Sequence, residues 1–251
     1  MYALEPQDHL AAEEKTMIVR CDQELFEKFP TASIHGAVFD GASKVNEEIS
    51  ERWRLNALES ISGSGVTVER LLEFPEFKEW RNAFQKFGVK AGKYRSSVEQ
   101  LYRRALNGAI IQTNLPLVNL YCYVSLIHIA PMAGYDLEKV QGDIAIRLTG
   151  EGEKFVGLGE QHQFTSDPGV VVYADDGGII CWAWNHRDAA RTSLTHQSDR
   201  VIFFADSATS DSRFRAAAAI DQLSEILTSA GANKVSAFAL DRLNNEATIE
   251  L

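Results

Sequence analysis

The run Leu117 to Ile129, LVNLYCYVSLIHI, constrains this chain more than any other segment. Leaving so apolar a helix in water costs about 25 cal/mol for each Å² of its surface, so the rest of the fold has to cover it. The residue before a proline is driven out of the helical region, which ends the helix ahead of Pro131. The wider run Leu115 to Met132 approaches the ~20 residues that cross a bilayer. Asn119, Ser125, His128 and two prolines within it argue against a membrane span. The expectation is a helix buried in a globular core, not an anchor.

The flanking segments supply the cover. Ser96 and Glu99 form an S-x-x-E capping box at the head of a helix over Ser97 to Asn107, and Gly108 closes it. A further helix is expected from about Pro75 to Phe87. Upstream, MIVRC (Met17–Cys21) and SIHGAVF (Ser33–Phe39) read as strands. Val45 to Leu58 reads as a helix from its i+4 apolar steps, followed by a glycine-containing loop over Ile61 to Thr67. Beyond Asp136 the pattern becomes short glycine-punctuated strands: DIAIRLT, KFVGLG, VVVYAD, IICWAW, TSLT and RVIFFAD. Asp175-Asp176-Gly177-Gly178 is a hairpin turn signal. An alanine-rich helix from Phe214 to Leu227 and a last strand over Lys234 to Leu240 close the chain. Helices first and strands later predict an α+β fold, helices packed on a mixed, mainly antiparallel sheet. Residues 1–16 read as a flexible tail and 17–251 as a single domain.

Three cysteines, Cys21, Cys122 and Cys181, have no paired spacing, so neither a zinc knuckle nor a disulfide framework is expected. No metal or cofactor motif is found, and no basic-then-apolar leader opens the sequence, which leaves the cytoplasm as the expected compartment. The formal charge of −10 disfavours nucleic acid at first sight. Between Lys78 and Arg104, however, eight basic residues face two acids, a local +6. Lys86, Lys90, Lys93, Arg95, Arg103 and Arg104 from that stripe could hold a phosphate backbone, or could simply form a solvated helical face.

Trp182-Ala183-Trp184-Asn185-His186-Arg187-Asp188 is the densest chemical segment. Strand alternation would put Trp182, Trp184 and His186 on one face and Asn185 and Arg187 on the other. The indoles suit stacking of an adenine or an aromatic amino acid, and the amide and guanidinium suit a carbonyl or phosphate; core tryptophans beside a surface ion pair are the bland reading. His186-Arg187-Asp188 echoes a kinase catalytic loop, but the rest of that signature is missing. G-x-S-x-G and H-E-x-x-H are absent as well, so serine and zinc hydrolase readings have no support.

The order R-x-S-x-E-x-L-x-R-R from Arg95, an apolar helix, G-x-D-L at Gly134 to Leu137 and a later W-N-x-R at Trp184 to Arg187 resembles the editing domain of the phenylalanyl-tRNA synthetase beta subunit. It is closer still to free-standing single-domain relatives of that module. The resemblance covers roughly residues 80–210. It implies that domain's α+β fold, no cofactor, and tRNA as the partner. The implied activity is hydrolysis, in trans, of the ester of a misacylated tRNA, without the ligase function. An activated ester needs a positioned water and polarising donors more than a strong nucleophile. Arg95, Ser96, Glu99, Arg103, Ser125, Asp136, Gly142, Trp184, Asn185, Arg187 and Thr192 match the pattern, as does Glu153. Ala133 departs from it, standing where the synthetase has a histidine. Asn119 and Cys122 occupy positions where free-standing relatives carry aspartate and asparagine.

These strands meet in one expected site. Asn185 and His128 are the expected catalytic residues, with Asn119, Ser125, Trp184, Arg187 and Thr192 lining the same cleft. A non-catalytic RNA-binding module and a free amino acid binder stand as alternatives, the first separable by deacylation and the second by the salt dependence of tRNA binding.

Overall fold

A computed structural model describes residues 16–251. Its elements run in order β1 (Thr16–Cys21), α1 (Gln23–Lys28), β2 (Ser33–Asp40), α2 (Glu47–Gly63), α3 (Pro75–Lys86), α4 (Ser97–Leu106), α5 (Pro116–His128), β3 (Met132–Asp136), β4 (Ile144–Leu148), β5 (Lys154–Phe155), β6 (Phe164–Thr165), β7 (Val171–Asp175), β8 (Gly178–Trp182), β9 (Arg187–Asp188), β10 (Val201–Ser207), α6 (Ser210–Ser229), β11 (Asn233–Leu240) and β12 (Glu246–Glu250). The fold is α+β, as expected. The polar N-terminal segment lies outside the described residues except for Thr16, which opens β1.

Two sheets carry the architecture. One has six strands in the order β12-β1-β4-β7-β8-β9, and the other has four, β11-β2-β10-β3. Every pairing is antiparallel except β1 with β4. Both sheets are completed from outside the 80–210 span: β1 and β12 extend the first, and in the second β2 pairs with β10 and β11 with β2. One apolar core joins the six-stranded sheet to α3 and α4, including Trp80, Tyr102, Tyr173 and Trp184. A second lies between the four-stranded sheet, α5 and α6, around Phe203, Leu120, Val124, Ala216 and Leu223.

The apolar run does form a buried helix, α5, two prolines bounding it. Its end is a left-handed Ile129 (φ 50°), after which Ala130 N–H returns to the Ser125 carbonyl. Among the described residues no helix is long and apolar enough to cross a membrane.

Four local expectations need correction. The capping box is half formed: Ser96 Oγ accepts the Glu99 N–H, but the Glu99 carboxylate turns away to arginines instead of the cap backbone. The helix expected to stop at Leu58 continues as α2 to Gly63, and TSLT (Thr192–Thr195) is not a strand. The segment Trp182 to Arg187 is not one continuous strand either. β8 ends at Trp182, and Ala183 (φ 53°) and Trp184 (φ 61°) both take left-handed backbone before β9 resumes. Such consecutive non-glycine residues are costly, on the order of 1–2 kcal/mol each, and persist only where surrounding packing over-determines them.

Candidate functional site

That reversed turn sends the two indoles to different places. Trp184 is fully buried, its ring 4.9 Å from Phe29, 5.2 Å from Trp80 and 6.4 Å from Phe87. It is a core residue and does not line a cleft. Trp182 packs instead with Tyr94, Phe155, Phe164 and His186. Between them the turn presents Asn185, His186, Arg187 and Asp188 to a cavity of about 280 Å³. The opposite walls are α4 (Ser97, Gln100, Arg104) and α5 (Val118, Tyr121, Cys122), with Met132 and Ala133 from β3.

Asn185 is held from behind. Its Nδ2 donates to Asp206 Oδ2 at 3.0 Å, and Asp206 Oδ1 accepts from the Tyr173 hydroxyl. Burial pushes the Asp206 carboxyl up to about 7, the two hydrogen bonds acting the other way. The anchored amide leaves Asn185 Oδ1 buried and without a partner. Expected as a polarising donor, Asn185 thus offers an acceptor. Across the turn, the Asn185 carbonyl accepts the Ser97 N–H at 2.9 Å, which ties the start of α4 to the site. Ser97 Oγ is a second buried polar atom with no partner. Buried polar groups are nearly always satisfied, and these two, facing the cavity from opposite walls, leave a ligand or water two places to bond.

The remaining cavity groups are tuned towards neutrality. The shortest contact of His186 Nδ1 is to the Arg95 carbonyl at 2.7 Å, with the Arg95 N–H and Gln100 Nε2 each 3.3 Å away; donation to that carbonyl makes Nε2 the basic nitrogen. Burial lowers its pKa, with the Arg95 hydrogen bond opposing. Burial also raises the Asp188 carboxyl, whose Oδ1 accepts the Tyr135 hydroxyl at 2.9 Å. The Cys122 thiol is pushed up to about 12 by burial and is no thiolate nucleophile. Positive charge enters from the rim: Arg104 and Arg187 are both exposed, the latter 4.0 Å from Glu160.

Other expected site residues stand apart from the cavity, most of them satisfied locally. Asn119 Oδ1 accepts from Thr113 N–H and Oγ, and its Nδ2 donates back to the Thr113 carbonyl, so it clamps the turn leading into α5. Ser125 Oγ donates to the Ala130 carbonyl at the end of that helix. His128 Nε2 meets Gln222 Oε1 at 2.9 Å and joins α5 to α6. Thr192 is fully buried with an unpartnered hydroxyl, while its carbonyl accepts the Asp136 N–H. Asp136 and Glu153 are likewise structural: Asp136 accepts from Ser198 and pairs with Lys139, and Glu153 grips Arg147 through both oxygens.

The basic stripe divides in two. Glu99, fully buried, draws in Arg81 at 2.6 and 2.5 Å, Arg103 at 2.8 Å and Arg95 at 3.5 Å. These arginines serve a buried carboxylate. Lys86, Lys90, Lys93 and Arg104 remain exposed and make no ion pair among the described residues. Lys86 lies 5.0 Å over the Phe29 ring. Sequence reading favoured His128, whereas the structure brings His186 and Ser97 to the cavity and sets Asp206 behind Asn185. His186 was visible in the dense segment, but only the reversed turn reveals where it stands.

No curated protein matches the chain. Among solved structures, an N-terminal fragment of the phenylalanyl-tRNA synthetase beta subunit from Pyrococcus horikoshii matches at 11% identity and a TM-score of 0.46. The match covers 86% of this chain and 49% of that one, so this chain spans about half its length. The B3/4 domain model matches residues 79–228, more than half of the chain and every wall of the cavity. The chain therefore belongs to the B3/4 domain family, the family of the editing region of the phenylalanyl-tRNA synthetase beta subunit.

Proposed function

We propose that this protein hydrolyses the ester of a misacylated tRNA in trans, in the cytoplasm, using the cavity between α4, α5 and the Ala183–Trp184 turn. The observation that carries the reading is the pair of unpartnered buried atoms, Ser97 Oγ and Asn185 Oδ1, on that cavity. Two positions at which the chain departs from its relatives, Ala133 and Cys122, line the same space, so residues from separate motifs converge there. In this reading Ser97 and Asn185 hold the attacking water. Neutral His186 takes its proton through Nε2 as the water oxygen adds to the ester carbonyl. The carbon–oxygen bond to the ribose then breaks, and the proton passes to the leaving ribose oxygen. Arg104, exposed at the mouth, attracts the phosphates of the acceptor strand.

The test is release of free amino acid from a panel of mischarged tRNAs. Asn185→Ala is expected to slow it by about 10²-fold, the usual consequence of losing one positioning hydrogen-bonding group, with tRNA affinity nearly unchanged. Binding of tRNA without deacylation of any member of the panel would reduce the protein to an RNA-binding module. Binding of a free amino acid with no salt-dependent tRNA affinity would make it a small-molecule binder.

A further inference from the structure

A second recess is bounded by Tyr94 and Trp182, the two rings that His186 packs against. It has a volume of about 290 Å³ and is lined by Tyr94, Phe164, Trp182, Lys90, Lys93 and Asp167, among others. The rings of Tyr94 and Phe164 both stand nearly perpendicular to the Trp182 indole, at 75° and 88°, with centroids 4.9 and 5.1 Å away. Phe164 is 37% exposed although it is large and apolar, and it sits in the short strand β6, paired only with β5. The indole nitrogen is already bonded to Ser166 Oγ at 2.8 Å, so the indole's orientation is fixed.

Cations stand beside these rings. The N–H groups of Lys93 and Tyr94 both donate to the Lys90 carbonyl at 2.9 Å, a tight turn that brings the two lysines together. Lys93 Nζ lies 4.8 Å over the Tyr94 ring, and neither lysine makes an ion pair among the described residues. The exposed Phe164 ring and the half-buried Tyr94 ring, with unneutralised lysines beside them, suit a flat, anionic ligand, and a nucleotide has that chemistry. Asp167 is the one carboxylate among the lining residues and can accept an N–H from the base edge. His186 joins the recess to the cavity, its ring 5.2 Å from Tyr94 and 5.9 Å from Trp182 while it also lines the cavity wall.

We propose that this recess is a nucleotide subsite, in which a base of single-stranded RNA stacks against Tyr94 and Phe164 while Lys90 and Lys93 hold its phosphate. The inference rests on the editing reading only for its order: the strand that delivers an aminoacyl ester to the cavity passes over His186 and leaves the preceding nucleotide in the recess. Base stacking on aromatic rings tolerates any base, so the subsite grips the strand without choosing its sequence.

Uncharged, fluorescently labelled RNA trinucleotides provide the direct probe, read by anisotropy against the full chain. Phe164→Ala, and separately Lys90→Glu with Lys93→Glu, should each weaken binding about tenfold or more, and the lysine pair should also flatten the salt dependence. Because the probe carries no ester, this arm reports on the recess even if no deacylation is ever found. Where deacylation is found, the same variants should raise KM for aminoacyl-tRNA at constant kcat. They should leave hydrolysis of aminoacyl-adenosine, which lacks the preceding nucleotide, unchanged. Unaltered RNA affinity in the lysine variant, whose surface positions leave the core intact, would overturn the proposal. So would an oligoglutamate peptide that binds the wild-type recess while the RNA does not.

Discussion

Asp206→Asn separates what the carboxyl behind the site does for stability from what it does for chemistry. Burial lifts Asp206 from its ordinary 3.8 to about 7. In the folded protein it therefore keeps its proton over some three pH units in which the unfolded chain has lost it. At 1.36 kcal/mol per unit this amounts to about 4 kcal/mol. The sign follows from the raised value. Below pH 3.8 both states hold the proton, so its contribution to stability is fully present there. It is lost as the pH rises and levels off above about 7. The asparagine variant does not titrate. Urea unfolding at intervals between pH 4 and 8 should thus show the wild type losing about 4 kcal/mol relative to the variant. A difference between the two that stays flat with pH would refute the burial argument. The chemistry should move the other way. Tyr173 can still donate to the new amide oxygen, but the new amide nitrogen then faces Asn185 Nδ2, donor to donor. Asn185 has to turn over, showing the cavity an N–H group in place of its oxygen. Deacylation should fall about 10²-fold even at pH 8, where the variant is relieved of a buried charge.

Other expectations follow from the same geometry. His186 has a lowered pKa, so deacylation should be flat near pH 7 and fall only as the pH drops well below 6.5, and His186→Gln should abolish that acid limb. Its effect on stability has the same sense, with stability present above 6.5 and lost below it. His128→Ala should cost about 1 kcal/mol in urea, the usual value of one hydrogen bond, with deacylation per folded molecule unchanged because its partner is Gln222 on α6. Glu99→Gln should cost about 3 kcal/mol by urea unfolding, since it strands Arg81 and Arg103 around a neutral group. A loss smaller than that of an exposed ion pair would mean those arginines find other partners.

Elements with strong local grammar were legible in the sequence. Pro75, Ser96 and Pro131 punctuate helices by mechanisms that need no tertiary context, and the Asp175–Gly178 signal does form the β7–β8 hairpin. Polar residues inside apolar runs were also legible as unusual, but not which of them were already satisfied. Asn119, Ser125 and His128 each find a partner that no spacing rule names: Thr113, the Ala130 carbonyl and Gln222. Alternation failed between Trp182 and Asn185 because it assumes extended backbone, and two left-handed residues there reverse the facing of everything after them. The strands β3 and β12 escaped notice because MAGYD and EATIE lack a run of β-branched residues, and their pairing is decided by distant neighbours.

The way the two sheets are completed bears on how the chain can be made and cut. β2 lies between β11 and β10, and β1 lies between β12 and β4, so each sheet joins residues near the start of the chain to residues near position 240. Two of these four pairings, β1 with β12 and β2 with β11, cannot form on a ribosome until the last strands have emerged, so β1 and β2 each keep one edge unpaired until then. A fragment trimmed to the recognised 79–228 segment would expose β4 and β10 as bare edges. The segment that matches the family is thus smaller than the set of strands that completes both sheets.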